Sequence, residues 1–268
     1  MNPMKRYAVF AMLAVGALFV AAETYAQSPF DGTWRIELSQ TKFSPKPLSF
    51  YIGQGWYHCV GACSPAYDVA ADGQDHAVSG HAYDSVSVTV VDTHTIQAVA
   101  KKSGTVMWEQ TRTVSADGKT LTVKSTEHPM DGGAPTTFET VAKRSGTAPS
   151  GVHATSGNWV IVKQSGTGSE LLTTYKLDGD QLTMNAGSGE TYTAKLDGSD
   201  SPVKNAYGWD SVSLKKINDH TIEETDKRGD TVTDVSNMTV SPNGKTMTVV
   251  DNDKLTGRTS TYTATKQK

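Results

Sequence analysis

The stretch WYHCVGACSPAY, residues 56–67, holds the only two cysteines in a chain of 268 residues, four positions apart and beside a histidine. Three chemistries suit such a group: thiol redox, metal ligation or a structural disulfide. A redox pair ordinarily has two intervening residues at a helix N-terminus, whereas here three stand in strand-like text. A metal set of His58, Cys59 and Cys63 needs a fourth ligand or an open position, and no nearby Cys-x-x-Cys or His-x-His completes it. Neighbours on a strand also point to opposite faces, which sets His58 against Cys59. The spacing therefore predicts a disulfide, Cys59–Cys63, and no metal site. On an extended strand the two Cα atoms would stand ~13 Å apart, yet a disulfide needs roughly 4.4–6.8 Å. A three-residue hairpin loop with Gly61 at positive φ closes that gap.

Other chemistry-bearing residues fall into turns. His94 and His220, in THTI and DHTI, follow Asp/Asn-rich text, and Asp84 and Asp210 each precede SVS. All four read as turn or strand-start groups, the aspartates as capping acceptors. DNDK at 251–254 and DGD at 178–180 lack the spaced oxygen ligands of a calcium loop and read as turns. No nucleophile, carboxylate pair or metal set converges, so the expectation is a non-enzymatic protein with no catalytic residue and no cofactor.

The elements that position these residues begin with an address. MNPMKR carries two positive charges, YAVFAMLAVGALFVAA follows uncharged, and ETYAQS offers small residues for cleavage after Ala26. That is the pattern of a signal peptide, 1–26, and predicts a periplasmic or secreted protein. The 16-residue run is shorter than the ~20 apolar residues of a spanning helix. The net charge of −3 becomes −4 once the net +1 of Lys5, Arg6 and Glu23 is removed. No basic stripe appears, which disfavours nucleic acid as a partner.

The remaining chain is written twice. YDSVSVTVVDTHTIQ (83–97) returns as WDSVSLKKINDHTIE (209–223), and TVSADGKTLTV (113–123) as TVSPNGKTMTV (239–249), both offset by 126. GTW at 32–34 pairs with GNW at 157–159, and YDVAADGQD (67–75) with YTAKLDGSD (192–200), offset by 125. Such order marks a duplication. At offset 125 the two cysteines fall on Met184 and Ser188.

Alternation such as Val86, Val88 and Val90 against Ser85, Ser87 and Thr89 is the period of a half-buried strand. Asp-Gly in ADGK (116–119) and Asn-Gly in PNGK (242–245) mark reversals. The reading is all-β: two tandem antiparallel up-and-down barrels of about eight strands each, repeat 1 over 27–146, a linker over 147–156 and repeat 2 over 157–268. Barrel closure is the simplest way for a meander to hide its edges, with a flattened sandwich as the alternative.

Trp34 and Trp159, matched in the first strand of each repeat, read as core plugs that touch a ligand only if a pocket reaches that deep. In TVMWEQTRTV (105–114), Val106, Trp108, Gln110, Arg112 and Val114 share a face. If it faces inward, Trp108, Gln110 and Arg112 line a small-molecule pocket; if outward, they are solvated.

FDGTWRIELSQTKFSP (30–45), YDVAADGQDHAVSG (67–80), DSVSVTVVDTHTI (84–96) and VSADGKTLTV (114–123), with their echoes, resemble small exported bacterial β proteins described as lipocalin-like. The Gly-x-Trp is similar to the lipocalin first-strand motif. The resemblance implies an up-and-down barrel per repeat and a carrier for a small apolar or amphipathic ligand. The alternative is an envelope module whose filled barrels engage a protein partner.

Overall fold

The structure, a computed structural model, describes residues 28–129, 132–168, 171–206 and 208–268, so the predicted signal peptide lies outside the described residues. The first repeat supplies β1 (Gly32–Ile36), β2 (Leu48–Gly53), β3 (Trp56–Cys59), β4 (Tyr67–Ala70) and β5 (His76–Ala77). It continues with β6 (Ser85–Val90), β7 (Thr95–Lys102), β8 (Thr105–Val114), β9 (Thr120–Glu127) and β10 (Thr136–Ser145). The second supplies β11 (Gly157–Thr167), β12 (Leu172–Asp178), β13 (Gln181–Ala186), β14 (Thr191–Lys195) and β15 (Asp197–Pro202). It ends with β16 (Ser211–Asn218), β17 (Thr221–Arg228), β18 (Thr231–Val240), β19 (Thr246–Asp253) and β20 (Arg258–Lys266). No helix among the described residues is long and apolar enough to cross a membrane.

These strands form two antiparallel sheets of ten, each curled into a nearly closed barrel. Both exceed the expected eight. The added strands include β5, only two residues long, and β15, which is Asp/Gly/Ser-rich and almost wholly exposed. Neither carries an apolar alternation that a sequence pattern could register.

The sheet orders show an exchange. The first barrel runs β4-β3-β2-β11-β10-β9-β8-β7-β6-β5; the second runs β14-β13-β12-β1-β20-β19-β18-β17-β16-β15. Each barrel thus contains the opening strand of the other repeat, and the barrel boundaries lie one strand away from the repeat boundaries at 146 and 157. The reason is local. In a closed meander the opening strand lies beside the last, and the short stretch 146–156 leads β10 straight into an antiparallel hairpin with β11, Ser145 opposite Asn158. Because GTW and GNW offer the same glycine and indole, β11 fits the slot that β1 would otherwise fill, and β1 is left to pair β12 and β20.

The two plugs are built alike. The Trp34 indole N–H donates to Phe30 O at 2.8 Å, and that of Trp159 to Thr155 O at 2.9 Å. A cation covers each ring: Lys266 Nζ 4.7 Å from the centroid of Trp34, the Arg144 guanidinium 4.1 Å from that of Trp159. Both cations also donate to the turn before the tryptophan, Lys266 to Pro29 O and Asp31 O, Arg144 to Ala154 O and Ser156 O. The tryptophans are 1% and 0% exposed, in separate cores. The predicted reversals hold: Asp117 and Asn243 each accept from Ser and Lys across a turn whose glycine, Gly118 or Gly244, has positive φ.

The exchange predicts where damage lands. Trp34→Ala, at a cost of about 3–5 kcal/mol, should abolish amide-exchange protection in β12 and β20 while β6–β9 keep theirs. Loss confined to the strands of the first repeat would contradict the exchange.

Candidate ligand-binding sites in the two barrel interiors

Cys59 and Cys63 are joined, with Cα atoms 5.6 Å apart. The bond does not staple a three-residue hairpin as the spacing suggested. Cys59 pairs Tyr67 across β3 and β4, and Cys63 lies inside the seven-residue connection between them. That connection curls over Ser49, whose carbonyl accepts from Val60, Gly61 and Ala62 at 3.2, 3.0 and 3.2 Å. Gly61 is absent from the positive-φ glycines, contrary to expectation; it is needed for closeness, since a Cβ there would meet Ser49 Cβ at 3.2 Å. In the second repeat β13 and β14 are joined by a tight turn closed by Ala186 N–H to Glu190 O, which needs no covalent link.

Asp84 accepts from the Ser103 amide and Asp210 from the Gly229 amide, capping the turns that follow β7 and β17. His94 and His220 sit in turns where Asp92 and Asn218 accept from their amides. DGD lies at a turn, but DNDK does not: Asp251 and Asp253 belong to β19. Their alternation with Val249 and Met247 turns them inward.

The interior of the second barrel is layered by charge. Nearest the Trp34 plug, Val240, Met247 and Ala264 form one inward row, and Ile222, Met238, Val249 and Tyr262 the next. Beyond them stand Glu224, Ser236, Asp251 and Ser260, then Asp226, Asp234, Asp253 and Arg258, each directly opposite its neighbour. Tyr192 donates to Glu224 at 2.6 Å and Ser236 to Asp251 at 3.0 Å, while Asp226 Oδ1 is enclosed without a hydrogen bond. Arg258, the one cation of the rows, is drawn off to Pro47 O and Gly61 O of the first barrel. A cavity of about 150 Å³ lies where the apolar and acidic rows meet, walled by Trp34, Tyr175, Met238, Val249, Tyr262 and Glu224.

Burial, then mutual repulsion, raises Glu224, Asp226, Asp234 and Asp251. Glu224 and Asp226 form one coupled pair that keeps a proton above the usual carboxylate range, because burial penalises a second charge beside the first. Asp234 is pushed up to about 6 by burial and by Asp251 and Asp253; Asp251 is raised by burial. Among the described residues no three His, Cys, Asp or Glu side chains converge closely enough to hold a metal ion.

In the first barrel four of the five positions at offset 126 are neutral: Ala98, Ala100, Trp108 and Ser125 stand for Glu224, Asp226, Asp234 and Asp251, while Glu127 stands for Asp253. Arg112 stands for Met238. Trp108, Gln110 and Arg112 do share the inward face with buried Val114, while a bulge between Ala100 and Lys101 takes Val106 out of that alternation. The structure therefore brings Trp108, Gln110 and Arg112 together around the aromatic cluster of Tyr57, Tyr67 and Tyr83. Trp159 is sealed in its plug, and Trp34 belongs to the other barrel. An open concavity of about 610 Å³ crosses β7–β11, lined by the outward Gln97, Glu109, Thr111, Lys124 and Thr126 and reached also by Gln110.

The inward carboxyls of EETDKR and VVDND escaped the sequence reading because each alternates with residues just as polar, so period two gives no face.

The raised carboxyls fix a sign. Their folded values exceed the unfolded value of about 4, so stability is greatest when they are protonated and falls as pH rises through that window. The melting temperature should decline from pH 5 to pH 8, and Asp234→Asn should flatten the slope; a melting temperature rising over that range would refute the assignment. Separately, Cys59→Ser with Cys63→Ser should cost about 2 kcal/mol in denaturant unfolding, the value for so short a ring, with the Ser49 turn retained. Comparison of the chain with protein-family models, with curated proteins and with solved structures gives no match.

Proposed function

We propose that the chain is an exported, non-enzymatic binding protein for a small amphipathic molecule, and that the cavity of the second barrel is where such a molecule sits. The observation that carries this reading is the juxtaposition in one partly open cavity of aromatic and apolar walls with the Glu224 carboxyl. Pockets for small ligands combine an apolar lining with a few placed polar groups. A void of this size accommodates one small ring, and the carboxyl supplies a partner for a cationic head. The class is a compact primary amine with an apolar or aromatic body. An ammonium would also offset the repulsion among Glu224, Asp226 and Asp251. Export agrees with the disulfide, which an oxidising compartment permits.

Benzylamine tests the reading by calorimetry or ligand-observed NMR. It should bind the wild-type chain, more tightly at pH 8 than at pH 5 as the carboxyls lose their protons. Glu224→Gln, which retains the acceptor for Tyr192, should weaken it about tenfold, the loss of one charge-assisted contact. Equal affinity in the variant, or tighter binding at pH 5, would sink the reading.

The outer concavity favours a second reading, an envelope module that engages a protein partner along β7–β11.

A further inference from the structure

The interior of the first barrel holds the opposite charge. Arg112 reaches inward from β8, where Nη1 donates to Tyr57 Oη at 2.9 Å, and Nε and Nη2 share Gln110 Oε1 at 3.2 and 3.0 Å. The guanidinium lies 4.9 Å from the ring centroid of Phe50 and 5.8 Å from that of Tyr57. No ion pair among the described residues includes it. Its electrostatic partners are the phenols of Tyr57, Tyr67 and Tyr83. A cation so enclosed is costly unless an anion meets it. A guanidinium has five N–H groups, and these bonds engage three. One N–H remains on each Nη, and the Nη1–Nη2 edge of a guanidinium is one that receives a carboxylate in two-pronged fashion.

The surroundings suit the rest of such a ligand. Tyr83 meets Trp108 edge-on at 5.6 Å, and Tyr67 meets Tyr83 at 6.5 Å. Trp108, Gln110, Arg112, Tyr67 and Tyr83 face inward and are half-buried, with Trp108, Tyr67 and Tyr83 packing against the core of the first barrel. At its rim His81 stacks on Tyr83 at 5.0 Å, with Nε2 enclosed and unpartnered. Arg228 of the second barrel donates to Gly80 O at 2.7 Å beside it. The approach to Arg112 thus carries a second cation, and Glu127, opposite Trp108 on β9 and exposed, is the carboxylate of that end.

We propose that the first barrel binds a small organic anion, a carboxylate with a compact aromatic body, its two oxygens on the Arg112 Nη edge and its ring against Trp108 and Tyr83. The site uses no residue of the second-barrel cavity, so the two stand or fall separately.

Benzoate, the near-isostere of benzylamine with the opposite charge, is the probe. The full exported chain should bind it, and Arg112→Gln should weaken benzoate about tenfold or more while leaving benzylamine binding unchanged. Benzoate labelled with ¹³C at the carboxyl gives a readout that needs no variant, should Arg112→Gln fail to fold. When bound it should stay ionised to lower pH than when free, as an anion held on a guanidinium does. The proposal is overturned if the wild-type chain does not bind benzoate at millimolar concentration. It is equally overturned if a folded Arg112→Gln binds it as well as wild type, or if the bound carboxyl titrates at or above its free value.

Discussion

Everything in this molecule depends on how the Gly-x-Trp strand closes a barrel. A ten-stranded meander cannot complete its core until a large indole fills one end, has its N–H satisfied, and is covered by a cation from the adjoining strand. Trp34 with Phe30 and Lys266, and Trp159 with Thr155 and Arg144, are two copies of that solution. Each is delivered by the wrong repeat. The exchange supplies each barrel with the same plug, because both strands carry the same glycine and indole, and it interlocks the two barrels.

On that shared scaffold the interiors have diverged in charge. The plug, the Asp117 and Asn243 turns and the capping aspartates repeat in kind, while the inward rows beyond the plug do not. Where the second barrel sets Glu224, Asp226, Asp234 and Asp251, the first sets alanines, a tryptophan and a serine. Where the first sets Arg112, the second has Met238. Closure constrains the end near the tryptophan to apolar packing; the far end is free of that demand, and there each barrel has acquired its own electrostatic character.

The sequence made the repeated framework plain and left the rest hidden for physical reasons. Hairpin turns were legible because Asp117-Gly118 and Asn243-Gly244 need specific backbone and side-chain chemistry. The Cys59–Cys63 bond was legible because few alternatives exist for two close thiols, yet its setting was not, since the pull of the Ser49 carbonyl on three amides comes from another strand. Trp108, Gln110 and Arg112 showed a shared face but not which way it pointed. The acidic rows of the second barrel were illegible because Glu224 and Asp226 sit between Glu223, Thr225 and Lys227, and polarity on both faces erases the alternation. The strand exchange was beyond reach for a different reason: two strands with interchangeable sequences leave no mark of which slot each occupies.

That interchangeability bears on how the chain is made. Thr33 meets Thr174 across 141 positions of sequence, so the segment that emerges first finds its neighbours only after most of the polypeptide has followed. Residues 48–167 are contiguous within their barrel and are able to assemble meanwhile, with β11 arriving directly behind β10. The connections flanking the slot are equally long, 37–47 between β1 and β2 and 146–156 between β10 and β11, so chain length gives neither strand the shorter reach, and in the exchanged topology β1 completes its pairing only once β12 and β20 have followed.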